Sequence, residues 1–226
     1  MTTKSPNIRP IITIDGPSAS GKGTIAQQVA KKLGFHYLDS GALYRIVAYA
    51  TKKNDIAWND AQAVTACAKS LNITFNNEQV LLDHQDISDE IRTEEISKGA
   101  SEVAIHAPLR KALLVLQHRF DQPPGLVADG RDMGTVVFKN ATLKIFLTAS
   151  TEVRAKRRYT QLLAKKLPAN YQNILKDLQE RDSRDQNRTN APLVKAVDAI
   201  LLDTDNLSIT DTINAVLQHF QQKNCK

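Results

Sequence analysis

Cysteine is nearly absent from this 226-residue chain, with Cys67 and Cys225 its only two. So few thiols exclude a disulfide framework and a multi-cysteine metal site, and they fit a reducing compartment, so a cytoplasmic location is expected. Aromatic residues are only 5% of the chain, with a single tryptophan, a poor supply for the stacking platforms that hold single-stranded nucleic acid. No apolar run approaches the roughly 18 residues of a membrane-spanning helix. The opening MTTKSPNIRP has no apolar leader stretch, so neither secretion nor membrane insertion is expected. Internal repeats, low-complexity tracts and long linkers are also missing, and one domain over residues 1–226 carrying insertions is the expected organisation.

What is present describes a globular chain with a real core: 42% hydrophobic and 24% charged residues. Lys+Arg 30 against Asp+Glu 24 leaves a formal charge of +6, which favours an anionic partner without choosing between nucleic acid, acidic membrane and phosphorylated small molecules. The run Ile11 to Ile14 reads as a buried strand, and the spacing of Ile25, Ala26, Val29, Ala30 and Leu33 predicts a helix stopped by Gly34. Phe35 to Leu38 reads as a second strand, and Asp39, Ser40 and Gly41 open a second helix. Ile73 to Phe75, a turn at Asn76-Asn77, Val80 to Leu82 and a short strand at Asp86 to Ser88 form an antiparallel insert. Two helical patterns follow, the second with Pro108 in its first turn. Leu126 to Ala128, Leu143 to Leu147 and Ile200 to Leu202 are further buried strands. An α/β fold with a mostly parallel central sheet is the expected class.

The segment Gly16-Pro17-Ser18-Ala19-Ser20-Gly21-Lys22-Gly23-Thr24 matches G-x-x-x-x-G-K, with Gly23 standing between the lysine and the hydroxyl residue that usually follows it. A buried strand precedes it and an amphipathic helix follows, so loop amides and a helix N-terminus can converge on a triphosphate. In that pattern Lys22 reaches the β- and γ-phosphates and a hydroxyl such as that of Thr24 approaches Mg²⁺. A glycine-rich turn that binds nothing is the alternative.

The Lys-Gly-Thr ending resembles nucleoside monophosphate kinases. LDSGALYR at Leu38 to Arg45, DGRDMGTVVF at Asp129 to Phe138 and RDSRDQNR at Arg181 to Arg188 together closely resemble the bacterial cytidylate kinase family. The resemblance spans nearly the whole chain. It implies a P-loop αβα architecture with a nucleotide-binding insert near residues 70–105 and a short helical lid near 154–170. It also implies transfer of the γ-phosphoryl group of ATP, with Mg²⁺, to CMP and dCMP by a monomer without nucleic-acid or membrane partners.

By the same resemblance, Gly16 to Thr24 bind ATP together with Arg154, Arg157 and Arg158 of the lid. Asp39, Ser40, Arg45, Ser101, Arg110, Arg131, Asp132, Arg181, Asp185 and Arg188 face the CMP side. Lys22, Arg131, Arg158 and Arg188 act on the transferring phosphoryl group, whose spread charge converging guanidinium groups stabilise. Residue by residue, blander roles stay open. Asp39 or Ser40 can be a helix cap, Arg110 a surface charge, Asp129 to Gly134 a turn, and Arg184 part of a solvated salt-bridged face. Trp58, Tyr37, Tyr44 and Tyr49 read as packing residues and the histidines as structural or surface groups. Two other functions compete: a kinase for UMP, AMP or shikimate, and a nucleic-acid-binding module without activity.

Overall fold

The computed structural model describes residues 9–76 and 79–224. Asn77 of the expected turn, Cys225 and the first eight residues lie outside the described residues. In chain order the elements are β1 (Ile11–Asp15), α1 (Lys22–Leu33), β2 (His36–Asp39), α2 (Ser40–Lys53), α3 (Ala61–Ser70), β3 (Ile73–Asn76), β4 (Gln79–Leu82) and β5 (Gln85–Asp86). They continue with α4 (Glu94–Val103), α5 (Ala107–His118), β6 (Leu126–Gly130), β7 (Leu143–Thr148), α6 (Thr151–Ala164), α7 (Tyr171–Asn187), β8 (Ile200–Asp203) and α8 (Ile209–Asn224). A 3-10 turn, Glu90–Arg92, precedes α4, and a π-helical turn, Met133–Val137, follows β6.

The chain folds as two compact units. The first holds the residues up to Leu38, Arg119–Asn187 and those from Ala191 onward; the second holds Asp39–His118 and Arg188–Asn190.

A five-stranded sheet in the order β2-β6-β1-β7-β8 organises the first unit. β1 pairs in parallel with β6 and β7, placing Ile12 opposite both Val127 and Leu143, and β7 pairs in parallel with β8. Strand alternation divides the side chains. Ile12, Ile14, Leu143, Ile145 and Leu147 face one way and are sealed by Ile25 and Val29 of α1 and Val216 and Phe220 of α8. Thr13 and Asp15 of β1 and Lys144 of β7 sit at the intervening positions, and they too are buried. β1 and β7 thus carry buried polar residues on the second face, whereas β6 places the buried Leu126 and Ala128 there. α1 stops where Gly34 takes a left-handed conformation, φ 67°, and Lys31 and Lys32 lie in its last turn.

The second unit is built from helices and a three-stranded antiparallel sheet, β3-β4-β5, in which Phe75 faces Val80 and Leu81 faces Asp86. Trp58 pins its helices. The indole Nε1 donates to Ala48 O at 3.1 Å, His106 Nε2 donates to Trp58 O at 2.7 Å, and a Cβ on Gly99 would lie 2.4 Å from the Trp58 ring. That contact explains glycine within α4.

The α/β class with a mostly parallel sheet and a small antiparallel insert is as the sequence indicates. Details differ. β1 and β6 run past their apolar runs onto Asp15 and onto Asp129 and Gly130, so carboxylates line the C-terminal edge where open α/β sheets bind ligands. The third short strand is Gln85–Asp86; Ser88 instead accepts from Val80 N at 2.9 Å and donates to Asp86 at 2.5 Å. α7 ends at Asn187, which leaves Arg188 beyond the helix that carries Arg181 and Asp185.

Candidate active site

Gly16 to Thr24 connect β1 to α1. A Cβ on Gly16 would lie 2.1 Å from Leu147 O, so only glycine passes beneath the β7 backbone. Ala19 at φ 57° and Gly21 at φ 87° turn the loop onto the N-terminus of α1, which has no side-chain cap. Gly21, the residue before the helix, offers no side-chain acceptor to its first amides, an arrangement that suits anion binding at a helix N-terminus. Ser20 is 2% exposed and its Oγ has no hydrogen-bond partner among the described residues. An orphaned hydroxyl inside such a loop fits a phosphate oxygen. Lys22 Nζ donates to Pro17 O at 3.1 Å, and Thr24 is exposed on the first turn of α1.

The DGRDMG segment of the same unit lies beside this loop. Asp129 accepts from the Tyr37 hydroxyl through Oδ1 at 2.8 Å, while its Oδ2 is 3.9 Å from where a Cβ on Gly23 would stand. A carboxylate oxygen thus faces the start of α1, next to Thr24. Hydroxyl and carboxylate oxygens are the donors Mg²⁺ takes, usually one or two from protein with the rest from phosphates and water, so these residues fit the ion. Arg131 donates from Nη2 to Ser18 Oγ and from Nε to Asp185 Oδ2, both at 2.7 Å. Asp132 is buried, and its carbonyl receives the amides of Val136 and Val137 as the π-helical turn begins. Arg181 and Asp185 are both carried by α7.

Asp15 lies beneath that turn. Its Oδ1 accepts from Met133 N and its Oδ2 from Gly134 N, each at 2.8 Å. Burial pushes its carboxyl up to about 6, with Asp132 adding repulsion, against the two amide bonds and the charge of Lys22, which pull it down.

On α6, Arg154 spends all five guanidinium N–H groups inside the protein. Nε donates to Ala149 O, Nη1 to Ser18 O and Asp182 Oδ1, and Nη2 to Thr151 Oγ1 and Asp182 Oδ2. Arg157 donates to Thr204 Oγ1 at 3.1 Å and to Thr204 O at 2.5 Å, gripping the loop after β8. Arg158 donates to Gln161 Oε1 at 2.9 Å.

The second unit brings together another set. Asp39 caps α2, accepting from Ala42 N at 2.9 Å through Oδ1, and its Oδ2 pairs with Arg45 Nη2 at 2.6 Å. A cap and a cation holder are thus the same carboxylate. Ser40 is buried at the first position of α2, and Ser101 is buried on α4. Arg110 lies 5.7 Å from the Tyr44 ring centroid and donates to Ala104 O at 3.3 Å. The segment holding Arg188 is tied by Asn190 Nδ2, which donates to Ile105 O at 3.3 Å.

Three roles go beyond those the motifs assign: that of Asp15, that of Asp182 within RDSRDQNR, and the pairing of Tyr37 with Asp129 at the start of DGRDMG. Asp15 had a signal, a carboxylate ending a β-branched strand directly before the glycine loop.

A glycine-rich loop carrying Lys22 between a buried strand and a helix N-terminus, with arginines bonded to the loop itself, defines a P-loop kinase. Solved structures agree on the fold. A shikimate kinase from Acinetobacter baumannii in complex with shikimate superposes with a TM-score of 0.51 at 16% identity over 97% of both chains. An uncharacterized protein from Eubacterium ventriosum gives 0.52 at 10% identity, covering 94% of this chain and 99% of that one. The chain belongs to the cytidylate kinase family, whose profile matches residues 12–222. It is similar to proteins named cytidylate kinase from Paraburkholderia phymatum, 55% identical, and Burkholderia multivorans, 53% identical, each over 94% of this chain and 93% of the relative.

Proposed function

We infer that this chain transfers the γ-phosphoryl group of ATP to CMP, releasing CDP and ADP, and that it accepts dCMP as well. Membership of the cytidylate kinase family supports the reaction. The observation that carries the chemistry is Arg131, which donates to Ser18 in the phosphate loop and to Asp185 on α7. One guanidinium from DGRDMG is thereby held against the loop expected to grip the donor.

The division of labour follows from that. Gly16 to Thr24 cradle the donor phosphates, Lys22 neutralises charge on them, and Arg157 and Arg158 approach from the lid helix. Thr24 and Asp129 would hold Mg²⁺, which would supply positive charge to neutralise that developing on the transferring phosphoryl group. Arg131, Arg181, Asp185 and Asp132 receive CMP on the first unit; Asp39, Ser40, Arg45, Ser101, Arg110 and Arg188 do so on the second. Arg131 and Arg188 stabilise the spread charge of the group in flight. A general base is unnecessary, because a phosphate monoester with a second pKa of about 6 is already largely ionised at neutral pH.

The enzyme acts as a cytoplasmic monomer; among the described residues no helix is long and apolar enough to cross a membrane. The test is ADP release with CMP, dCMP, UMP and AMP compared side by side. CMP and dCMP should be turned over well above the other two, and equal use of AMP or UMP overturns the specificity. Salt-sensitive polynucleotide binding without ADP release would indicate a binding module instead.

A further inference from the structure

We propose that Asp15 is a positioning residue for phosphoryl transfer: its carboxylate fixes the turn at Met133 and Gly134, and through it the placement of Arg131 and Asp132. This rests on the reading of those two residues as part of the acceptor site.

Asp15 ends β1, so the residue that orders the acceptor turn is bonded directly to Gly16, the first residue of the phosphate loop. Its two oxygens each take one backbone amide, at 2.8 Å, from the residues that immediately follow Arg131 and Asp132. The turn has little freedom to sit elsewhere. A Cβ on Gly134 would be 2.9 Å from Thr13 Oγ1 and 3.2 Å from Lys144 Cδ, so Gly134 is pressed onto the polar face of the sheet. From that seat Arg131 reaches Ser18 and Asp185.

Only a carboxylate suits the position. Two N–H groups converge on it, and an ionised Asp offers two acceptors with no donor, whereas Asn offers one acceptor and turns its NH₂ against the other amide. The ionised form is also unfavourable at this depth, since Asp15 is 5% exposed and its carboxyl is raised to about 6. A charge that costs stability while ordering the residues beside two substrates belongs to function more than to folding.

The test is steady-state kinetics of Asp15→Asn with ATP and CMP varied in turn. Misplacement of a reacting group by about an ångström costs on the order of 100-fold, so kcat should fall and KM for CMP should rise, with KM for ATP close to that of the wild type. A structural role alone would lower the active fraction, dropping kcat with both KM values unchanged; that result, or wild-type kinetics, overturns the proposal. If the variant does not fold, hydrogen exchange on the wild-type protein decides: slow exchange at both Met133 and Gly134 amides supports the clamp, and fast exchange at either overturns it. A wild-type protein that does not phosphorylate CMP would overturn the functional reading instead, a failure visible before any variant is made.

Discussion

Arg154 and Asp182 face each other as a fork, with Nη1 to Oδ1 at 3.2 Å and Nη2 to Oδ2 at 2.5 Å, and their side chains are 4% and 14% exposed. The same guanidinium holds Ser18 O of the phosphate loop and Ala149 O at the end of β7. With every N–H engaged, Arg154 ties α6 and α7 to the back of the loop. On the proposed assignment, Arg157 and Arg158 are the residues of α6 that approach ATP.

Removing one partner of a buried pair strands the other charge, which typically costs about 3–5 kcal/mol. Arg154→Ala should therefore lower the unfolding free energy by that order, measured by urea melts with an unchanged slope. Arg154→Lys keeps the charge but cannot rebuild a planar fork, so it should recover only part of the loss. Stability equal to wild type in the alanine variant would show that the fork contributes nothing net.

The sheet, the loop and the two-part helical pattern were legible because each has a local cause. Ile11 to Ile14 are β-branched and apolar, the glycines are forced by close approach or positive φ, and Gly34 stops a periodic helix. Asp39 shows where legibility ends. Helix cap and member of the CMP side are alternatives in the sequence, yet in the structure one oxygen caps α2 and the other holds Arg45. Asp15 and Asp182 were missed for a different reason. Each works through partners more than a hundred or nearly thirty positions away, Met133 and Arg154, and no local periodicity marks such a pair. Tyr37, a packing residue by its sequence position, does pack against the core, and its hydroxyl is also bonded to Asp129. The end of α7 before Arg188 was equally hidden, since the alternating Arg and Asp pattern continues through it.

The raised carboxyl of Asp15 gives stability an unusual pH dependence. Its folded pKa of about 6 lies above its ordinary 3.8, so the folded chain holds this proton more tightly than the unfolded chain does. Its contribution is fully present below the unfolded value and is lost as pH rises through the folded one. A gap of about two pKa units corresponds to roughly 3 kcal/mol. The unfolding free energy of wild type minus that of Asp15→Asn should accordingly fall by about that amount between about pH 4 and pH 7. Carboxylates that do not interact with Asp15 cancel in the subtraction; Asp132, which repels it, contributes to the same difference. A difference that is flat, or that grows with pH, would contradict the burial-driven shift.

Among the residues proposed for the acceptor site, Arg188 offers a test that separates acceptor from donor. It lies just past the end of α7 and belongs to the short segment Arg188–Asn190, which groups with Asp39–His118 and is tied by Asn190 to Ile105 O. Its fold context is thus that of Asp39, Arg45, Ser101 and Arg110. A guanidinium on the acceptor phosphate makes charge-assisted hydrogen bonds worth about 1.5–3 kcal/mol, so Arg188→Ala should raise KM for CMP by roughly 10- to 100-fold. Affinity for a non-hydrolysable ATP analogue, read by calorimetry, should stay within about twofold, well inside the 1.4 kcal/mol that marks a tenfold change. kcat should fall as well, because the same cation stabilises charge that spreads only as the phosphoryl group moves. Equal losses for CMP and the ATP analogue would assign Arg188 to the donor side, and an unchanged KM for CMP would leave it with no role in the acceptor site.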